Sequence, residues 1–452
     1  MTGLVEVQVA PVALERLASL LPPERVERIE VYAAEARRLL AGRTVWNVSS
    51  TARGGGVAEM LHTLVAYAAG TGIGIRWFVI GGDPGFFTVT KRIHNRLHGV
   101  PGDDGALDAA ARATYDATQA RHVDELVDLV QPGDVVLLHD PQTAGLAGAL
   151  RERGAWVVWR CHVGLDESNQ WTKEAWGFLE ELVAPAHAVV FSREEFAPDW
   201  VDRRWLRIIP PSLDPFSPKN AEMAPAEVEA LVHRPGLVVE GPPLPTDAPL
   251  VLQVSRWDRL KDMAGVMEAF AAHLDELPPD VHLVLAGPET DGVADDPEAS
   301  EVLAECRERH RSLPERARLR IHLVSVPMDD LDANARTVNA LQRRAAVVVQ
   351  KSLAEGFGLT VTEPMWKSRP VVASAVGGIR DQVEHGVSGL LLDDPRDGAE
   401  LAAALTSLLG DEDRRLALGR AAHLRVRDQY LADRHLIQYV DLFAQLLAAA
   451  EA

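Results

Sequence analysis

Short apolar runs alternate with longer segments of helical periodicity through most of this chain. Runs rich in Val, Ile and Leu are typical of buried parallel strands, and the intervening segments have the apolar spacing of amphipathic helices. This β-α-β alternation predicts an α/β fold with two doubly wound, Rossmann-like domains in tandem. The strands predicted for the first domain are Thr44–Val48, Ile75–Ile80, Asp134–Leu138, Ala155–Arg160, Ala188–Phe191 and Leu206–Ile209, and those for the second are Leu250–Val254, Val281–Ala286, Leu319–Val324, Ala346–Val349, Val371–Ala373 and Leu390–Leu392.

A proline-rich stretch at residues 209–218 separates the two series. Its four prolines cannot continue a helix or a central strand, and we expect residues 219–248 after it to be rich in loops. The predicted parts of the chain are an N-terminal helical extension (1–42), a first domain (43–212), a second domain (213–432) and a last amphipathic helix (433–452).

This layout indicates where a ligand would bind. In open α/β sheets, ligands lie beyond the carboxyl ends of the strands. We therefore expect the two domains to face each other across a cleft, lined by polar residues that directly follow strands.

The net charge and the cysteine content exclude several classes of protein. Forty-six basic and sixty-six acidic residues give a net charge of −20, which argues against a nucleic-acid binder or a protein of anionic membrane surfaces. Two cysteines exclude a disulfide scaffold and a Cys-rich zinc site, and favour a reducing compartment. With no signal-peptide pattern and no apolar run near the ~18 residues of a membrane span, we expect a cytoplasmic protein.

The first candidate motif is the segment Arg53-Gly54-Gly55-Gly56-Val57, which follows a predicted strand and opens a helix. Its glycines allow close approach of a ligand to the backbone, and the helix N-terminus offers free N–H groups to a phosphate. Arg53 favours an anion. The alternative is a tight strand-to-helix turn without a ligand.

The second motif places Arg256 and Lys261 after the first strand of the second domain. Two cations at the mouth of a cleft would suit a diphosphate, which gains charge as it leaves. Surface salt bridges with Asp258 or Asp262 are an equally good interpretation of the pair.

The third motif is the segment from Glu355 to Glu363, which follows the predicted strand Ala346–Val349. Gly356 and Gly358 permit unusual backbone angles and expose N–H groups. Such a unit can bind a sugar at one carboxylate, phosphate in the middle and ribose at the other carboxylate. The alternative is an acidic helix start favoured by the helix dipole.

A fourth group consists of His162, Asp140 and Gln142, each of which follows a strand of the first domain. The three side chains can therefore converge, and His162 could form a hydrogen bond with a sugar hydroxyl. A single histidine in such a position can also be purely structural.

Together these motifs resemble the retaining glycosyltransferases of the GT-B fold, in family 4, from about residue 43 to residue 450. Within this family the chain is most similar to the trehalose glycosyltransferring synthases, although retaining trehalose phosphorylases share many of the same sequence motifs. The strings that carry this similarity are His139-Asp140-Pro141-Gln142, Arg160-Cys161-His162, Ile209-Pro210-Pro211-Ser212-Leu213-Asp214-Pro215, Lys219-Asn220 and Val349-Gln350-Lys351-Ser352.

The resemblance implies roles for the second and third motifs. Arg256 and Lys261 would hold the donor diphosphate and stabilise it as a leaving group. Glu355 would contact the donor glucose near its 3- and 4-hydroxyls, Glu363 would bind the ribose hydroxyls, and the segment ending at Met328 would lie against the base. The backbone amides implied to support the distal phosphate and the sugar are those of Gly358, Leu359 and Thr360.

The resemblance also assigns roles in the first domain. His162 would contact the donor sugar near its 6-hydroxyl. Gly55 and Gly56 would lie under the donor phosphates, next to the acceptor. The residues predicted to bind the acceptor glucose are Asp140, Gln142 and Arg53, and the last helix would cross back to complete this domain.

The implied reaction is transfer of α-glucose from ADP-, UDP- or GDP-glucose to free glucose, which yields α,α-trehalose with retention. No cofactor or metal is expected; Mg²⁺ is compatible with the fold but not required by it. Glucose 1-phosphate or phosphate as substrate, or a different acceptor, remain the alternatives. A homodimer is compatible with the family.

Overall fold

The computed structural model describes residues 3–52, 55–290 and 297–449. These fall into two compact units. The first contains the described residues up to Ser212 together with those from Tyr430 onward, and the second is Leu213–Gln429. Each unit contains one seven-stranded sheet.

The first sheet is built on strands whose side chains are mostly buried, because helices cover both of its faces. All strand pairs are parallel except that of β1 with β3, and the order is β1-β3-β2-β4-β5-β6-β7. The strands are β1 (Val5–Glu6), β2 (Thr44–Ser49), β3 (Gly74–Val79), β4 (Val135–His139), β5 (Trp156–Arg160), β6 (Ala188–Phe191) and β7 (Leu206–Ile208).

Helices follow most strands of the first unit. Asp83, Asp108 and Asn169 cap three of them by accepting hydrogen bonds from backbone N–H groups of the first turn. The helices are α1 (Glu15–Ala18), α2 (Pro23–Leu39), α3 (Gly56–Gly70), α4 (Pro84–Leu97), α5 (Ala109–Leu129), α6 (Ala147–Glu152) and α7 (Gln170–Val183), with 3₁₀ turns at Pro141–Leu146 and Glu194–Phe196.

The second sheet is also parallel apart from one edge strand, β8, which runs antiparallel to β11. The strand order is β14-β13-β12-β9-β10-β11-β8. The strands are β8 (Val238–Glu240), β9 (Leu250–Val254), β10 (His282–Pro288), β11 (Ile321–Val326), β12 (Val347–Gln350), β13 (Val371–Ser374) and β14 (Leu390–Leu392).

The helices of the second unit pack around a core that includes the buried Trp257 and Phe270. They are α8 (Pro225–Val232), α9 (Met263–Ala272), α10 (Pro297–Ser312), α11 (Glu315–Arg318), α12 (Leu331–Arg344), α13 (Leu359–Trp366), α14 (Ile379–Gln382), α15 (Gly398–Leu409) and α16 (Glu412–Gln429), with a 3₁₀ turn at Arg259–Lys261. The two parallel sheets confirm the predicted doubly wound α/β architecture.

The last helix, α17 (Ala432–Ala448), packs against α2 and α3 of the first unit. A buried polar cluster fixes it there. The Arg160 guanidinium at the end of β5 donates to His435 Nε2 (2.9 Å) and to the Tyr439 hydroxyl. His435 Nδ1 in turn contacts Ser212 Oγ at 2.9 Å.

Three short elements were not predicted from the sequence. The N-terminal segment is not wholly helical, because β1 joins the sheet edge by pairing with Phe78 and Val79. The loop-rich stretch after residue 218 contains α8 and the edge strand β8. Such elements are too short to show periodicity, and tertiary pairing defines them.

Within the described ranges, no helix has the length and apolar character needed to cross a membrane.

Candidate active site

The strand order places one switch point in each sheet. In the second sheet β9 and β12 are neighbours. The strand after β9 in the chain, β10, lies on one side of this pair, and the strand after β12, β13, lies on the other side. Crevices form at such points beyond the carboxyl ends of the strands. The loops that leave β9 and β12 carry Arg256 and Lys261, and the Glu355 segment, respectively.

These loops bring two predicted site residues into contact. Lys261 Nζ donates to Glu355 Oε2 at 2.6 Å, and the exposed fractions of the two side chains are only 14% and 12%. Ser352 Oγ contacts the same carboxylate oxygen at 3.3 Å. A cation and an acid are therefore fixed side by side at the end of β12.

A second buried ion pair supports the loop that carries Lys261. The buried Lys351 ammonium pairs with the carboxylate of Asp262, which also caps α9 by accepting from Gly265 N–H. Gln253 links both loops, because its side chain donates to the Lys261 carbonyl (2.7 Å) and accepts from Lys351 N–H (3.1 Å).

Lys351 and Gln253 were not among the residues predicted to form the site. Lys351 directly follows β12, and that position was the available signal. Asp262 has φ of +48°, a left-handed conformation that is costly outside glycine. The ion pair and the cap together hold this residue in place.

Arg256 differs from Lys261 in its surroundings. Its side chain is 49% exposed, and its guanidinium lies 3.3 Å from Asp258 Oδ2. This is one of the salt bridges that the sequence analysis left open as an alternative. Its role toward a diphosphate stays a prediction.

Glycines shape the loop around Glu355. Gly358 has φ of +92° and precedes α13. Gly377 comes so close that a Cβ atom on it would lie 1.7 Å from the Glu355 carbonyl oxygen. Leu359 and Thr360 form the first turn of α13, where main-chain amides have no partner within the helix and can bind an anion.

Glu363 lies in the second turn of α13 and is 3% exposed. Its Oε2 accepts from Gln342 Nε2 at 2.9 Å, and its Oε1 lies 3.5 Å from Lys219 Nζ. Met328, predicted to lie against the base, is partly buried after β11, and Asn334 Nδ2 contacts its sulfur at 3.3 Å.

The switch point of the first sheet lies between β2 and β4. Asp140 follows β4 with φ of +64°, and its Oδ1 accepts from His162 N–H at 2.8 Å. Burial raises the pKa of Asp140 to about 7, although this hydrogen bond and the charge of Arg160 oppose the shift.

His162 stacks against His139, with ring centroids 5.5 Å apart. Burial lowers the pKa of His139 to about 3 and also lowers the pKa of His162, so both imidazoles are neutral. His139 Nε2 lies 3.1 Å from Asn47 Oδ1, an acceptor, so this nitrogen carries the proton. His139 Nδ1 must then accept from His162 Nε2, at 3.2 Å. The Nδ1 atom of His162 is thereby left as an acceptor for a hydroxyl group.

Gln142 lies beside this cluster in the 3₁₀ turn. Its carbonyl accepts from Gln119 Nε2 at 2.8 Å, while its buried Oε1 has no hydrogen-bond partner among the residues that the structure describes. Gly55 has φ of +82° and precedes Gly56, the first residue of α3. Arg53, predicted to bind the acceptor, lies outside the described residues.

The structure thus places the predicted residues in two groups. Lys261, Glu355 and the glycine turn before α13 form one group in the second unit. Asp140 and His162 form the other in the first unit. Among the residues that the structure describes, no group of three or more His, Cys, Asp or Glu could hold a metal ion.

Comparisons with known proteins match both units. A family described as "Trehalose synthase, N-terminal domain" matches residues 47–198, and "Glycosyl transferases group 1" matches residues 239–425. The chain is 35% identical to the trehalose synthase of Pyrococcus horikoshii, over 96% of each chain. It is 37% identical to that of Rubrobacter xylanophilus, over 90% of this chain and 92% of the other.

More distantly related proteins also match the chain. The trehalose phosphorylase of Pleurotus pulmonarius is 27% identical over 84% of this chain and 54% of its own. Among solved structures, the UDP-forming α,α-trehalose-phosphate synthase of Burkholderia vietnamiensis superposes with a TM-score of 0.70 at 18% identity, covering 90% of this chain and 99% of that one.

Proposed function

Because the chain belongs to the trehalose synthase family of GT-B glycosyltransferases, we propose that it transfers α-glucose from a nucleoside diphosphate glucose to free glucose. The product is α,α-trehalose, and the configuration of the donor is retained.

The observation that carries this proposal is the contact between Lys261 and Glu355 at the switch point of the second sheet. A transferase of this kind needs a cation for the leaving diphosphate and an acceptor for the hydroxyls of the sugar. The two groups are in contact, so a sugar joined directly to a phosphate can reach both at once. Arg256, on the same loop as Lys261, supplies the second cation.

Bond changes in the proposed step are simple. The bond from the anomeric carbon of glucose to the diphosphate oxygen breaks, and a bond to the hydroxyl oxygen of the acceptor forms on the same face. The hydroxyl proton passes to the leaving diphosphate, whose charge Lys261 and Arg256 stabilise. Positioning and charge stabilisation then supply most of the catalysis.

The nucleotide end of the donor is assigned to Glu363 and the start of α13. A carboxylate that accepts hydrogen bonds suits the two hydroxyls of a ribose. The amides of Gly358, Leu359 and Thr360 suit the phosphate between ribose and glucose. This assignment favours a nucleotide donor over glucose 1-phosphate.

The acceptor glucose is assigned to the first unit. Asp140 and Oε1 of Gln142 offer hydrogen-bond partners for hydroxyl groups of the acceptor, and the acceptor nitrogen of His162 is assigned to the 6-hydroxyl of the donor sugar. The buried, neutral histidines add no charge, which suits an uncharged sugar better than a sugar phosphate.

A donor panel tests the proposal. Wild-type protein would be incubated with free glucose and one of ADP-glucose, UDP-glucose, GDP-glucose or glucose 1-phosphate, and the product identified by NMR. We expect α,α-trehalose from at least one nucleotide donor and none from glucose 1-phosphate. If trehalose formed only from glucose 1-phosphate, the protein would instead catalyse the phosphorylase reaction. Glucose 1-phosphate is included because the chain is also similar to the trehalose phosphorylase of Pleurotus pulmonarius.

A further inference from the structure

A buried chain of hydrogen bonds links Lys367 through Gln342 to Glu363. Lys367 Nζ donates to Gln342 Oε1 at 2.7 Å, and Gln342 Nε2 donates to Glu363 Oε2 at 2.9 Å. Gln342 is 0% exposed, Glu363 3% and Lys367 5%. A buried lysine away from any surface is uncommon and requires partners for its charge.

The Lys367 ammonium has three oxygen partners. Besides Gln342 it donates to Asn220 Oδ1 at 2.9 Å and to the Glu363 carbonyl at 3.2 Å. An ammonium group has three donors and no acceptor, so these three oxygens match its capacity. The hydrogen bonds therefore favour the protonated form, while burial lowers the pKa of Lys367 to about 7.

This arrangement fixes the direction of the Gln342 amide. A side-chain amide can be turned either way round, with oxygen or nitrogen facing a given neighbour. Because the Lys367 ammonium only donates, it requires the amide oxygen of Gln342. The amide nitrogen of Gln342 must then face Glu363, and it occupies Oε2 of that carboxylate.

The second oxygen of Glu363 faces a different neighbour. Oε1 lies 3.5 Å from Nζ of Lys219, whose side chain is 20% exposed. One oxygen of the carboxylate thus accepts from a fully buried amide, and the other lies near the ammonium of a partly exposed lysine.

We propose that Lys367 and Gln342 are positioning residues that fix the Glu363 carboxylate so that its Oε1 accepts from the ribose hydroxyls of the donor nucleotide. This inference rests on the proposed function, because it assumes that Glu363 binds ribose. Without Lys367 the Gln342 amide oxygen loses its donor and the Glu363 carbonyl loses the same ammonium, so neither the amide nor the carboxylate is held in a single position.

Discrimination between ribose and dideoxyribose tests this role. Binding of ADP, UDP and their 2′,3′-dideoxy analogues would be measured by calorimetry for the wild type, Lys367→Met and Gln342→Glu. We expect the wild type to prefer the ribonucleotide about tenfold or more. Both variants should lose most of this preference while they bind the dideoxy analogue as the wild type does.

The isosteric Gln342→Glu variant keeps the side-chain volume and the acceptor for Lys367, and it replaces the donor to Glu363 by a carboxylate oxygen. Arg344→Ala is the matched control on α12. Arg344 donates to the carbonyls of Pro245, Thr246 and Ala248 and pairs with Glu229 rather than with Glu363, so this variant should keep the full preference.

The outcomes separate the two proposals. If Glu363→Ala abolishes the preference and Gln342→Glu retains it, the positioning role is overturned and the ribose role stands. If Glu363→Ala itself retains the preference, the ribose role fails. An equal loss of affinity for both nucleotides in Gln342→Glu would mean that the chain of hydrogen bonds is merely structural, and would overturn the inference.

Discussion

Lys261 and Glu355 are 94 residues apart in the chain, yet the ammonium of one donates to the carboxylate of the other across 2.6 Å. Each group is the other's counter-charge in a poorly exposed position. A diphosphate that binds Lys261 must therefore compete with Glu355, and Glu355 becomes available to sugar hydroxyls as the ammonium turns toward phosphate. In the proposed reaction the pair would couple recognition of the phosphate half and the sugar half of the donor.

The first prediction concerns this pair. Lys261→Ala should lower kcat by about 100- to 1000-fold, because the leaving diphosphate loses a charged hydrogen-bond donor. Steady-state kinetics with the best nucleotide donor would measure the change, and urea unfolding would show how much stability is lost.

Arg259→Ala is a suitable control because Arg259 lies in the same 3₁₀ turn but pairs with the exposed Glu305. Its kcat should stay within about twofold of the wild type, since exposed ion pairs contribute little. Equal kcat values for Lys261→Ala and the wild type would remove Lys261 from the phosphate role.

A second prediction uses the close approach of Gly377 to Glu355. A Cβ atom at Gly377 would clash with the Glu355 carbonyl at 1.7 Å, whereas a Cβ atom at Gly386, with φ of +77°, would meet no described residue within 4 Å other than its chain neighbours. Both Gly377→Ala and Gly386→Ala pay the cost of about 1–2 kcal/mol for a positive φ. Only Gly377→Ala should lose more stability than this, together with activity. Similar unfolding free energies for the two variants would contradict the structure of this loop.

The third prediction concerns the buried pair of Lys351 and Asp262. Lys351→Met should lower the free energy of unfolding by about 3 kcal/mol, because it removes one partner of a buried ion pair. Arg309→Ala breaks the exposed pair with Glu268 and should cost less than about 1 kcal/mol. Urea denaturation of both variants would test the contrast, which a loss of similar size in the two would refute.

The fourth prediction concerns pH. An aspartate titrates near 3.9 when unfolded, whereas the pKa of Asp140 in the folded protein is about 7. Between about pH 4 and pH 7 the folded state keeps a proton that the unfolded state has released. The contribution of Asp140 to the free energy of unfolding therefore decreases as pH rises, by up to roughly 4 kcal/mol.

Asp140→Asn tests this linkage. Asparagine has nearly the same size and shape as aspartic acid, and its Oδ1 can still accept from His162 N–H, so the fold should persist. The variant should be less sensitive than the wild type to pH changes across this range, as measured by urea unfolding at several pH values. Parallel stability curves for the two proteins would show that Asp140 titrates normally.

Much of the fold could be predicted from the sequence, because buried parallel strands produce continuous apolar runs. Leu250–Val254, Ala188–Phe191 and Leu390–Leu392 have the predicted limits. The family resemblance and the GT-B fold are confirmed. The edge strands β1 and β8 could not be foreseen, because a strand of two or three residues carries no periodic signal and depends on its neighbour.

The residues of the candidate site could likewise be predicted only in part. Residues that follow strands, such as Asp140 and Glu355, could be selected because the architecture directs them to the sheet edge. The partners Gln342 and Lys367 could not, because their positions on α12 and after α13 become neighbours only through packing. That Arg256 pairs with Asp258 also depended on side-chain geometry that sequence spacing left open.

The discontinuous first unit has a consequence for synthesis on the ribosome. Arg160 leaves the exit tunnel early, but His435, which accepts from its guanidinium, is translated 275 residues later. Until then the Arg160 cation at the end of β5 has the Ile209 carbonyl but lacks its two partners on α17. The contiguous second unit, Leu213–Gln429, emerges entirely within that interval. The half of the protein that is made first should therefore be the last to reach its native structure, and a nascent chain arrested before α17 should carry a folded second unit behind a protease-sensitive first one.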